Sequence, residues 1–155
     1  MDAVIKTGNG KFNFRVAGVL IVDNQVLLHK AETDSFWALP GGRVQISERS
    51  EDALIREIQE ETGMRVKTEG LLWTVENFFH YEGEAFHEIG FYYRMCPELP
   101  LEKQKSFYGL ETDRQLVFRW FPLDQLDDIE VRPSFLKERL KGLPEHATHI
   151  VVDTR

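Results

Sequence analysis

Three glutamates in one stretch carry the first chemical signal. Glu57, Glu60 and Glu61 stand at i, i+3 and i+4, so on a helix, at about 100° per residue, they share one face. Like charges at these spacings repel by roughly a few tenths of a kcal/mol per pair. A cation among them reverses that penalty. Clustered carboxylates are hard oxygen ligands suited to Mg²⁺ or Mn²⁺, ions that keep several waters and bind substrate phosphates as well. Taken alone, three glutamates also fit a solvated acidic helix face, and the flanking residues decide between the two.

Gly42 is followed by five residues, Glu48, seven residues, and then Arg56-Glu57-Ile58-Gln59-Glu60-Glu61-Thr62-Gly63-Met64. This stretch resembles the Nudix box of the MutT-like hydrolases at all nine of its specified positions, with Met64 as the final apolar one. Less specific features extend the resemblance over most of the chain: the paired apolar runs from Val16 to His29, Pro40-Gly41-Gly42, and Arg119-Trp120-Phe121-Pro122-Leu123. The resemblance implies the family's α/β/α sandwich around a mixed central sheet.

It also implies roles. Glu57, Glu60 and Glu61 would be metal ligands, joined by a backbone carbonyl near Gly41 or Gly42. Glycine suits that place because it lets backbone approach an ion closely. Arg56 would hold a carboxylate, Glu48, through a charge-assisted pair. The implied reaction is attack of water on phosphorus in a P–O–P linkage, with Mg²⁺ or Mn²⁺ as cofactor and a nucleotide or nucleoside diphosphate derivative as substrate. The family uses no single position for the general base. Glu57, Glu61, Glu88 and Glu111 all remain candidates.

Arg43, and less strongly Lys30, are the cations placed to meet a phosphate. Phe36 and Trp37 are the aromatics beside the presumed site that could touch a nucleobase. Subfamily marks are mostly missing. No proline stands about fifteen residues after the box, where ADP-ribose-cleaving relatives tend to carry one; Phe78-Phe79-His80-Tyr81 occupies that region, and the first proline beyond the box is Pro97. The SQPWPFP run of NADH-cleaving relatives is missing too. Tyr81 lies near the tyrosine associated with dinucleoside-polyphosphate cleavage, and His80 and His87 read as ordinary polar residues around a turn.

Two other classes fit less well. An isopentenyl diphosphate isomerase-type enzyme needs a catalytic cysteine, and Cys96, the one cysteine, falls on an expected strand. A nucleotide sensor on the same fold would be expected to have lost box carboxylates, and all are present. The resemblance leaves a homodimer open.

Positioning these residues requires a framework. At 155 residues, 42% hydrophobic and 12% aromatic, the chain can bury its own core and reads as one domain, residues 1–155. The class expected is α/β (α+β). With 26 acidic against 19 basic residues and a net charge of -7, general nucleic-acid binding is not expected. No apolar run spans a bilayer and none resembles a signal peptide, so a cytoplasmic setting is expected.

Val16–Val22 and Gln25–His29 read as strands joined by Asp23-Asn24, and Phe36–Leu39 as a short strand ended by a Pro40-Gly41-Gly42 turn. The box helix should begin with Ser50 as its cap, carry Leu54, Ile55 and Ile58 inward, run to Thr62 and end at Gly63. Arg65–Phe79 and Glu88–Met95 read as long strands around Tyr81-Glu82-Gly83-Glu84, and Leu116–Phe121 as another strand. Pro133–Lys141 reads as a second helix closed by Gly142.

Overall fold

Two tight turns set the frame. Asp23 and Asn24 have φ of 54° and 59°, and Glu82 and Gly83 have 51° and 77°. Positive φ at both central residues is the geometry that matches the twist of a β-hairpin, and Asx and Gly residues adopt it readily. In the computed structural model, which describes residues 1–155, the first turn joins β2 (Gly10–Val22) to β3 (Gln25–Ala31), and the second joins β5 (Val66–Tyr81) to β6 (Glu84–Pro97).

The strands form a nine-stranded mixed sheet ordered β7-β8-β3-β2-β6-β5-β9, with β1 and β4 also paired to β2. Here β1 is Val4–Thr7, β4 Gly41–Arg43, β7 Ser106–Tyr108, β8 Leu116–Pro122 and β9 Thr148–Asp153. The long β2 organises the rest. It runs parallel to β6 from Lys11↔Phe86 to Leu20↔Met95, and it splits its other edge between β1, β4 and the hairpin with β3.

Alternation along β2 sends Val16 and Leu20 to one face and Ala17 and Val19 to the other, so each face has a core of its own. The first core packs under α1 (Ser50–Thr62), which contributes Ala53, Leu54 and Ile58. The second packs under the 3-10 helix Leu123–Asp128 and the short α2 (Leu136–Arg139), through Leu126, Leu136 and Leu140. No helix is long and apolar enough to cross a membrane.

Four local expectations need correction. Arg49, not Ser50, occupies the N-cap of α1, with extended φ and ψ of -71° and 141° and no side-chain cap bond. The Ser50 hydroxyl is instead shared with Tyr93 Oη at 2.7 Å. Pro40-Gly41-Gly42 is not a turn, because Gly41 and Gly42 pair with Ala17 and Val16 as part of β4. A Cβ on Gly41 would lie 2.0 Å from the Val16 carbonyl oxygen, and that close approach explains the glycine better than a turn does. Phe36–Leu39 makes only isolated bridges, His29↔Ala38 and Trp37↔Val131. Within Pro133–Lys141 only Leu136–Arg139 is α-helical. So short a helix is marginal by itself and rests on the burial of Leu136 and Leu140.

Candidate active site

Helix α1 ends where it should. Gly63 takes the left-handed conformation, φ 77°, and its N–H donates to the Gln59 carbonyl at 2.9 Å. The helix thereby lays its glutamate face along β4, at one end of a cleft of about 1040 Å³ whose floor is β2, β6 and β5.

Arg56 anchors this end. It donates through Nε to Glu48 Oε2 at 2.7 Å and through Nη2 to Glu48 Oε1 at 2.9 Å. Its Nη1 reaches Glu57 at 3.0 Å and Glu60 at 3.3 Å, and Nη2 also meets the Arg43 carbonyl at 3.2 Å. Glu48 accepts a further bond from the Gln45 N–H. The bond from Arg56 is the main reason the Glu48 carboxyl is held below the usual carboxylate range, and the Arg56 guanidinium is pushed up in turn.

The glutamates differ in environment. Glu57 and Glu61 line the cleft, whereas Glu60 does not and its side chain is 49% exposed. No three acidic or histidine side chains are gathered as a closed metal cage. Glu61 is only 6% exposed, and its Oε2 is buried with no hydrogen-bond partner. Burial first, and then the nearby Glu57 charge, push its carboxyl up to about 8. Glu57 is raised as well, chiefly by burial.

A buried carboxylate with an orphaned oxygen, Glu61, thus stands beside the half-buried carboxylate of Glu57. The donor set is all hard oxygen, so it fits a divalent cation of the Mg²⁺ or Mn²⁺ kind. Gly42 supports that fit: a Cβ there would stand 2.3 Å from the Glu57 carboxyl carbon and 2.5 and 2.7 Å from its oxygens. Only a glycine leaves this carboxylate its place.

Among the other expected residues, Arg43 lines the cleft and lies 3.9 Å from Asp2. Lys30 lines it too, but donates to the Asp34 carbonyl at 3.0 Å. Glu111 faces the cleft and raises both Glu57 and Glu61 through its charge. Phe36 lines the cleft, with the Arg132 guanidinium 4.1 Å above its ring. Trp37 does not: it is 7% exposed, packed edge-on against Phe121 at 4.8 Å inside the second core. The expectation that Trp37 touches a base is therefore corrected, because neighbours along an extended segment point opposite ways. Cys96 lies outside the cleft lining, which leaves the isomerase-type reading without its nucleophile. His87 stacks on Phe78 at 4.5 Å.

Several cleft residues escaped the sequence reading. Lys11, Asn13 and Arg15 face the cleft from β2, and Asn77 faces it from β5. Their signal was present in Lys11-Phe12-Asn13-Phe14-Arg15, where polar and aromatic residues alternate with the strand period. His29 is buried at the cleft wall with Nδ1 unpaired, and burial lowers its pKa to about 3, so it is neutral.

The NUDIX domain model matches residues 12–141, and the chain belongs to that family. It is 45% identical over 60 residues to an ADP-ribose pyrophosphatase of Methanocaldococcus jannaschii, a match covering 37% of this chain and 36% of the relative. It is 44% identical over 50 residues to an 8-oxo-dGTP diphosphatase of Proteus vulgaris, covering 32% and 45%. The matches thus span less than half the length of these two curated relatives. The crystal structure of a MutT NUDIX hydrolase from Burkholderia pseudomallei superposes with a TM-score of 0.59 at 26% identity, covering 81% of this chain and 95% of that one.

Proposed function

We propose that the chain is a metal-dependent hydrolase of diphosphate linkages in small nucleotide derivatives. The observation that carries this reading is the pairing of half-buried Glu57 with buried Glu61, one Glu61 carboxylate oxygen being unpartnered, at the head of a large cleft. Glu57 and Glu61, with Glu60 from the same helix and a carbonyl at Gly42, would hold Mg²⁺ or Mn²⁺. Such an ion would neutralise phosphate charge, make water a better nucleophile and steady the leaving oxygen.

The chain's own residues supply the rest. Arg56 clamps Glu48 and orients Glu57. Arg43 and Arg15, which are cross-strand partners lining the cleft, offer positive charge to a diphosphate. A carboxylate facing the cleft, Glu57, Glu61, Glu88 or Glu111, takes the proton of the attacking water. The two curated relatives support ADP-ribose and 8-oxo-dGTP as the substrate types to try, since their names give those activities.

Purified protein is to be incubated with a panel containing both compounds and Mg²⁺ or Mn²⁺, beside Glu57→Gln and Glu61→Gln variants, with released nucleotide and phosphate as the readout. Metal-dependent cleavage that collapses by at least about 100-fold in the variants supports the hydrolase. Binding without cleavage, equal in all three proteins, would make the chain a nucleotide sensor and end the catalytic reading.

A further inference from the structure

The cleft floor changes chemistry in steps along β2. Gly42, beside the glutamates, pairs with Val16; Arg15 pairs with Arg43; Asn13 pairs with Glu88 on β6; and Lys11 pairs with Phe86. On β5, Asn77 is the partner of Glu88, and Phe79 the partner of Phe86. Cross-strand partners share a face, so Asn13, Glu88 and Asn77 stand abreast, and Phe86 and Phe79 stand abreast one step further out. From Arg15 to Asn13 and from Asn13 to Lys11 each step is two residues, or ~7 Å along the strand, and the Gly42 pair lies one residue beyond Arg15.

The middle row is unusual. Asn13, Glu88 and Asn77 are 2%, 7% and 9% exposed, yet all three line the cleft. Asn13 donates through Nδ2 to Glu88 Oε2 at 2.9 Å. A carboxylate can only accept here, which fixes the amide's orientation and turns Asn13 Oδ1 away. That oxygen is buried with no partner. The Asn77 side chain makes no hydrogen bond within the protein, and Glu88 has one oxygen not engaged by Asn13. The row therefore presents two acceptors that lack donors, Asn13 Oδ1 and one Glu88 oxygen, beside the Asn77 amide, which can donate or accept.

We propose that Glu88, with Asn13 and Asn77, receives the vicinal hydroxyls of a ribose attached to the diphosphate, making Glu88 a specificity-determining residue for ribo over 2′-deoxyribo substrates. The proposal rests on the hydrolase reading for the direction in which substrate lies. Carboxylates, then cations, then acceptors, then aromatics is the order in which a ribonucleoside diphosphate presents its diphosphate, its diol and its base. A diol offers two O–H donors that a carboxylate can accept together, and a site built to bond a hydroxyl rejects the analogue that lacks it, because its own acceptors stay unpaired. Phe79 and Phe86 are stacked on each other, with centroids 5.0 Å apart, and Lys11 lies 5.1 Å over the Phe86 ring. This row is the apolar end of the cleft floor, against which a base attached to that ribose would rest.

The test compares pairs that differ only in the 2′-hydroxyl: ADP-ribose with its analogue deoxygenated at the adenosine 2′ position, and 8-oxo-GTP with 8-oxo-dGTP. kcat and KM are measured for the full chain with Mg²⁺. The expected result is a ribo preference of about tenfold or more in kcat/KM, carried by KM. Glu88→Gln should bring the ribo-to-deoxy ratio close to one, and Asn77→Ala should reduce it, with melting curves reporting that each variant is folded.

Calorimetric binding of the same pairs to the Glu61→Gln protein reads the preference whether or not the chain hydrolyses anything. A binding preference without turnover leaves the diol assignment standing and removes the hydrolase reading. Equal affinity for both members of each pair, or no binding of any of them, overturns the diol assignment. It is also overturned if Glu88→Gln lowers kcat alike for all substrates, which would make Glu88 the base, or if it alters only the choice between guanine and adenine.

Discussion

Arg56 and Glu48 meet as a fork on a fork, with Nε–Oε2 and Nη2–Oε1 distances of 2.7 and 2.9 Å. The third nitrogen, Nη1, is thereby aimed at Glu57, 3.0 Å away. Glu48, on the loop before α1, thus fixes the guanidinium that in turn fixes a cleft carboxylate. A lysine ammonium is a single point charge and cannot make both contacts in one plane. Arg56→Lys should reduce kcat/KM by about 10- to 100-fold, with the melting temperature nearly kept. Steady-state kinetics beside a melting curve check this, and wild-type activity in the variant would remove Arg56 from the positioning machinery.

Glu61 makes the stability of the metal-free chain depend on pH. Its carboxyl has an ordinary value of 4.5 and is raised to about 8 by burial and by Glu57. Folding therefore favours the protonated form. That contribution is complete below about 4.5 and is lost as pH rises toward 8, because the folded state binds more protons across this window. In EDTA the melting temperature should fall from pH 5 to pH 8, and Glu61→Gln should flatten much of the slope. Added Mg²⁺ at pH 8 should restore the loss, since an ion that binds only the folded state stabilises it. A rise in melting temperature over this range, in EDTA, would contradict the assignment.

Gly42→Ala tests the packing of Glu57 directly. The added methyl would stand 2.3 Å from the carboxyl carbon, so Glu57 must leave its place or β4 must shift from β2. Hydrolysis and metal affinity should both fall by at least about tenfold, while Gly142→Ala, where nothing lies within 4 Å of the new carbon, should leave both unaltered. Metal titration by calorimetry separates the two variants.

The order of legibility follows from range. The shared face of Glu57, Glu60 and Glu61 was readable because all three sit on one helix, and their chemistry was readable through the resemblance of Gly42 to Met64 to the Nudix box. The hairpin at Asp23-Asn24 and the C-terminus at Gly63 were readable because both need a positive φ at a stated residue. Ser50 misled because a distant partner, Tyr93, competes for its hydroxyl. Gly41 misled because a glycine that permits close strand pairing looks, in sequence, like one that permits a turn. The floor of the cleft was hidden for a different reason. Asn77 and Glu88 are paired by the antiparallel β5–β6 hairpin, but Asn13 joins them only through the parallel pairing between β2 and β6. The strand expected from Val16 begins at Gly10 in the structure, so the face shared by Lys11, Asn13 and Arg15 was missed, and the strand period by itself does not say what faces them.

Phe36 and Trp37 divide the roles that the sequence offered to both. Phe36 lines the cleft beneath Arg132, 4.1 Å from the ring centroid, with Tyr81 edge-on at 6.2 Å. Trp37 fills the core against Phe121, with the Arg119 guanidinium 5.3 Å from its ring. Phe36→Ala removes a face that the cleft presents to substrate and leaves the core intact, so KM should rise several-fold with little change in melting temperature. Trp37→Ala leaves a large void in a close-packed core and should cost about 3–5 kcal/mol of stability. Its KM, measured well below the melting transition, should stay near wild type. Chemical denaturation and steady-state kinetics on the two variants distinguish these outcomes. If Trp37→Ala raised KM while Phe36→Ala did not, the aromatic contact would belong to the buried residue, and the cleft would have to open into the second core to reach it.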